Sequence, residues 1–305
     1  MEIKMLRELT IMFKVVVFLT PFLLITEFCW ANGQANKLLQ NAARNGNLNE
    51  IKSAIEKGAD IHFQNDDTLI NAAHHGHFKI VKFLVSIGAD IHAQNGQALI
   101  SAAHHGHLEI VKFLLSKDAN IQAQEDQALI SSAFHGYLEI VKLLVKKGSD
   151  IHAQNDQALI SAAFHGYIEI IKFLLSKGAE IHAQSDQALV WAVQNGYLGT
   201  VKFLLKKGAN IHAQNNLILV KAVESAASIR NPVKKNHLKI VKFLISKGAN
   251  IHAQSDQALK IAGENGRVKV VAFLLSKGAN FRGIDSSDFR KEVQELFEKA
   301  KNISE

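Results

Sequence analysis

Residues 157–185 read Q-A-L-I-S-A-A-F-H-G-Y-I-E-I-I-K-F-L-L-S-K-G-A-E-I-H-A-Q-S. Asp156, one residue ahead, is placed to cap a short first helix, its carboxylate accepting free backbone N–H groups. Leu159, Ile160, Ala162 and Ala163 then form an apolar stripe at helical spacing. The alanines are small enough to let neighbouring helices approach closely. Gly166 ends this helix, because glycine tolerates a left-handed backbone at no steric cost. A second helix carries Ile168, Ile170, Ile171, Phe173, Leu174 and Leu175, apolar almost all round, so it must be sandwiched between neighbours. Lys172 and Lys177 take its wet side. Gly178 stops it, and residues 179–184 run on as an extended connector.

This stretch is one copy of many. The phrase A-D-I-H at Ala59 returns from Ala89, Ala119, Ser149, Ala179 and Ala209 at a constant step of thirty residues. The next copy starts forty residues on, at Ala249, and the last thirty beyond that, at Ala279. Eight units result, with ten extra residues in the seventh, at about 226–235. Two units lack a glycine at a helix end. Asp118 and Asn236 stand there instead, the residue types that best accept a left-handed conformation. With only Pro21 and Pro232 in 305 residues, long stretches lack a helix breaker.

A helix pair this small cannot bury its own apolar faces, but stacked on similar neighbours it can. The fold class expected is therefore all-α: an α-solenoid of about eight helix-turn-helix repeats with short loops. Asn41, Arg44, Asn45 and Asn49 make the first unit polar. After Phe281 the pattern breaks into a capping helix over about 287–301, with Phe289, Val293, Leu296 and Phe297 on one face.

At the consensus A-A-x-x-G-x-L-x-I-V-K-F-L-L-x-K-G-A-D-I-x-A the chain resembles the ankyrin repeat across residues 36–282. It departs from that family in one respect. The family's unit is about thirty-three residues with a T-P-L-H start, whereas here the start is Q-A-L-I or similar and three residues are missing. The loss falls in the connector, so tight loops are expected in place of β-hairpin fingers. The resemblance implies a protein-binding scaffold that works through its concave side, formed by first helices and loops.

By the same resemblance, the two variable positions after A-A point to that side. They are His74-His75, His104-His105, Phe134-His135, Phe164-His165 and Gln194-Asn195, with Arg44-Asn45 and Glu264-Asn265 nearer the ends. The framework hardly changes between units while these pairs grade from imidazole through aromatic to amide. Phe134 and Phe164 are the sharpest, since exposed aromatics make good interface anchors. Each also fits a simpler role, covering its neighbour. Trp191, in an adjacent variable column, is a further anchor.

Residues 1–31 read as a targeting segment. Lys4, Arg7 and Lys14 lead into an uncharged run from Val15 to Thr26, and Cys29-Trp30-Ala31 offers small residues for cleavage before Asn32. An uncleaved anchor from near Leu9 is the alternative, and would be the chain's one tie to a membrane. Export to the periplasm or the exterior follows from the first reading. Cleavage would also remove Cys29, the single cysteine. Basic and acidic residues balance within residues 1–31, so the net +7 belongs to the remainder.

Histidine suggests an alternative, a histidine-based divalent-metal-binding protein, because H-H-G-H occurs at His74–His77 and at His104–His107. No cysteine or paired carboxylate accompanies either. The column from His62 through His92, His152, His182 and His212 to His252 reads as structural. A lysine column on the second helices is offset by Glu109, Glu139 and Glu169, which argues against nucleic acid. No nucleophile–base pair, phosphate-binding glycine loop or metalloprotease spacing occurs. The residues therefore point to a protein partner, with no catalysis, cofactor, metal or small-molecule substrate.

Overall fold

The computed structural model describes residues 32–227, 237–287 and 289–304. The targeting segment and nearly all of the insertion, with Asn236, lie outside them. Among the described residues there are helices and turns but no strand, and no helix is long and apolar enough to cross a membrane. Two compact units divide after Gln124.

The first unit holds α1 (32–45), α2 (Leu48–Glu56), α3 (Asp67–His74), α4 (Phe78–Ser86), α5 (Ala93–His104) and α6 (Leu108–Leu115). The second holds α7 (Ala123–His135), which opens at the boundary, α8 (Leu138–Lys147), α9 (Ala153–His165), α10 (Ile168–Ser176), α11 (Ala183–Gln194) and α12 (Leu198–Lys206). It continues through α13 (Ala213–Ala227), α14 (His237–Ser246), α15 (Ala253–Glu264), α16 (Val268–Ser276) and α17 (Lys291–Ser304). Odd-numbered helices are first helices and even-numbered ones second helices, giving eight pairs and a terminal helix. Each unit is an α-solenoid: α3 packs on α5 and α4 on α6, as α9 packs on α11 and α12 on α14.

The reason is the apolar stripe. Leu69, Leu99, Leu159 and Leu189, one per first helix, are no more than 1% exposed, and the paired alanines behind them, such as Ala162 and Ala163, are fully buried. Ile170, Ile171 and Leu174 of α10 are buried with them. Burial of this kind contributes about 2 kcal/mol per large side chain, and no single pair could achieve it without a neighbour on either side.

The connectors differ from expectation. They are short and strand-free, but not extended. Gln154, Asn155 and Asp156 all adopt left-handed φ, at 51°, 55° and 59°. The same three-residue left-handed turn recurs at 64–66, 94–96, 124–126, 184–186, 214–216 and 254–256. Asp156 does not cap its own helix either: its Oδ1 accepts the backbone N–H of Glu180 in the next repeat, at 2.8 Å. Asp66 does the same for Asp90, Asp126 for Asp150, Asp186 for Asn210 and Asp256 for Asn280. These carboxylates are almost fully buried. They bridge consecutive repeats within a unit, and a lost bridge would leave a buried donor unsatisfied at about 1–2 kcal/mol.

The histidine column is part of this device. His62, His152, His182 and His252 each place Nδ1 about 3 Å from the aspartate four residues on. The Asp66 carboxylate beside His62 holds that imidazole's pKa above its usual value. Asp118 takes φ +62° at the position where other repeats have glycine. Phe289, expected on the last helix, lies ahead of it and packs over Gly263, while Val293 and Phe297 of α17 are buried.

Candidate protein-binding surface

The two variable positions after A-A turn out to be unlike each other. In the second unit the first position projects outward: Phe134 is 39% exposed and Phe164 is half-buried. Their rings lie 6.0 Å apart and nearly parallel, and Phe164 meets the Trp191 indole edge-on at 4.9 Å. Three consecutive first helices therefore present one aromatic run, fixed by the repeat spacing. His165 closes it from behind, its ring 4.4 Å from Phe134. Burial lowers the pKa of His165, with a smaller contribution from His135, so the imidazole here is neutral near pH 7. Gln194 and Asn195 end the run, both half-buried, and the Asn195 amide donates to the Phe164 carbonyl at 2.8 Å.

The second position is tied down. Nδ1 of His135 faces the Ser131 carbonyl at 2.9 Å, four residues back. A carbonyl only accepts, so that nitrogen carries the proton. In the first unit His75 and His105 do the same with Asn71 and Ser101. His74 and His104 are exposed, and the His74 ring lies 3.9 Å from that of His105. Burial, followed by the neighbouring imidazoles, lowers the pKa of His74. The first unit thus presents imidazoles at the position where the second presents aromatic carbon.

His77 and His107, the last members of the H-H-G-H runs, serve the stack. Each lays its ring across the glycine of the preceding repeat and bonds through Nε2 to the Arg44 or His74 carbonyl at 2.9 Å. Tyr167 and Tyr197 repeat the arrangement over Gly136 and Gly166. Nothing in the G-H or G-Y dipeptide announces this contact; the thirty-residue period alone, which puts each ring one repeat beyond a glycine, could have. Among the described residues no group of three or more His, Cys, Asp or Glu side chains is arranged to hold a metal ion.

On the second helices, Lys112, Lys142 and Lys172 pair with Glu109, Glu139 and Glu169 at 2.7 Å, as their spacing implies. The offset stops there. Gly199, Lys239 and Lys269 occupy the glutamate position in the last three repeats, a change that a chain-wide charge count conceals.

No curated protein matches the chain in sequence. The family model for ankyrin repeats in three copies matches residues 22–95, 39–125, 69–155 and 129–215 in overlapping frames, and the single-repeat ankyrin model matches residues 226–256. Repeats of this kind are generally protein–protein interaction modules in non-enzymatic scaffolds. With helix pairs in these frames and well over half its length matched, the chain belongs to the ankyrin repeat family.

Proposed function

We propose that this protein is a non-catalytic scaffold that captures a protein partner on the face formed by its first helices, concave in other ankyrin arrays. The aromatic run Phe134–Phe164–Trp191 is the observation that carries this reading. Such rings supply large, rigid contact area at low entropic cost, and a stacked array holds them in place before the partner arrives. In the first unit, the exposed imidazoles of His74 and His104 stand at the corresponding position of their own first helices.

Capture from an extract of the protein's own surroundings tests it. Truncating Phe134 and Phe164 to alanine should lower recovery of the specific partner about tenfold or more, as expected when interface anchors are lost. Undiminished recovery by the folded double variant would remove the aromatic run from the interface.

Export is part of the same proposal, supported by the basic lead, the apolar run and the small residues before Asn32. N-terminal sequencing of protein recovered from the producing cells should start at Asn32. A chain starting at Met1 would contradict it.

A further inference from the structure

Residues 197–282, which span the last three repeats from the turn before α12, contain fifteen Lys and Arg against three Asp and Glu. That net +12 exceeds the +7 of the whole chain, so the remainder is net acidic. Nine of the fifteen lie on the three second helices or on a residue adjoining their ends. Lys202 and Lys206 of α12 are exposed, as are Lys239 and Lys242 of α14 and Lys269 of α16. No acidic residue lies on any of these three helices, and among the described residues none of these lysines has an ion-pair partner.

Lys202 and Lys242 sit over phenylalanine rings instead. Lys202 and Lys247 flank the Phe243 ring at 5.6 and 5.9 Å, and Lys242 and Lys277 flank Phe273 at 5.4 and 6.0 Å. Between α12 and α14 lies a groove of about 550 Å³ with Leu205, Ile211 and Phe243 on its floor and Lys202, Lys206 and Lys247 at its rim. A second, of about 620 Å³, lies between α16 and α17, floored by Leu275, Phe281 and Leu296 and rimmed by Arg282 and Lys299. Neither lining contains a carboxylate.

Three polyanions could answer this charge, and the relief selects among them. Single-stranded nucleic acid binds by stacking bases on open aromatic faces, but here the rings are half-buried and covered by their own lysines. A membrane surface is met by apolar side chains that project past the cations, but here the apolar floor is recessed behind them. A protein segment with aliphatic side chains between carboxylates fits both levels, the carboxylates on the rim and the aliphatic groups in the grooves.

We infer that the second-helix face of the last three repeats docks an acidic protein segment bearing leucine-like side chains. This face is distinct from the aromatic run, and the inference rests on the proposed function only in taking a polypeptide as occupant.

The test uses the full chain and a fluorescent peptide of Glu-Glu-Leu repeats, with a Glu-Glu-Ser peptide, single-stranded DNA and phosphatidylserine vesicles as the other arms. The Glu-Glu-Leu peptide should bind at least about tenfold tighter than the serine peptide. Replacing Lys202, Lys206, Lys242 and Lys247 with glutamine, with the helical signal retained, should weaken it about tenfold or more. Equal binding of the two peptides, indifference to the four substitutions, or preference for DNA or vesicles would overturn the inference. The Phe134→Ala, Phe164→Ala protein separates the two faces: retained peptide binding supports the second-helix site, and lost binding assigns the peptide to the aromatic run and overturns it.

Discussion

Gly166→Ala should cost the second unit about 3 kcal/mol, against about 1 kcal/mol for Gly208→Ala, in urea unfolding followed by helical circular dichroism. Both glycines end a helix with positive φ, 74° and 101°, so each alanine meets the same left-handed penalty. They differ in what lies beyond. A Cβ at Gly208 would face open space, whereas one at Gly166 would lie 2.5 Å from the Tyr197 ring of the next repeat. That ring cannot retreat without dragging the start of α12 with it. The excess is therefore an inter-repeat contact, and a Tyr197→Ala background should reduce the cost of Gly166→Ala to about that of Gly208→Ala. Equal costs for the two substitutions in the natural background would mean that neighbouring repeats do not press on each other at this seam.

Acidification should weaken the same unit through His237. Its side chain is 1% exposed, with Nε2 3.4 Å from the Gln194 carbonyl and Nδ1 lacking a partner among the described residues. Burial, with a smaller push from the Arg267 guanidinium, lowers its pKa below the ordinary 6.5, while the carbonyl of Gln194 acts in the opposite direction. The folded protein thus favours the neutral ring. The stability this confers is complete above pH 6.5, the unfolded value, and is lost as pH falls through the lower folded value. His74 and His165, whose pKa values partial burial also lowers, push the same way, whereas His62, raised by Asp66, pushes the other. His237→Tyr isolates the contribution, because tyrosine already fills this register at Tyr167 and Tyr197. Charging a buried imidazole whose Nδ1 has no partner can cost at most about 1.4 kcal/mol per pH unit, so between about pH 7 and pH 5 the natural protein should lose melting temperature more steeply than the variant. Parallel curves would show that His237 is not the titrating group.

The helix pairs, their glycine stops and the left-handed Asp118 were legible because thirty-residue periodicity repeats the same local signal eight times. The left-handed connector was not. Asp156 before an apolar stripe has the pattern of a helix cap, and what bends the chain instead is an N–H of the next repeat, twenty-four residues away. Local propensity carries no trace of that partner. Phe289 was misplaced for a similar reason: it keeps helical spacing with Val293 and Phe297, yet its ring is claimed by the gap over Gly263. The paired positions after A-A look equivalent in sequence, but at the second of them His75, His105 and His135 face their own helix ends and are spent on carbonyls four residues back. The basic block escaped because a mild total charge averages an acidic part with a strongly basic one.

The central claim is that Phe134, Phe164 and Trp191 form a preorganised protein-docking surface. Hydroxyl-radical footprinting of the captured complex addresses it directly, reading oxidation of each ring with and without partner. The account predicts that all three rings become protected together. Unchanged oxidation of the three rings, with protection confined to other parts of the chain, would contradict it.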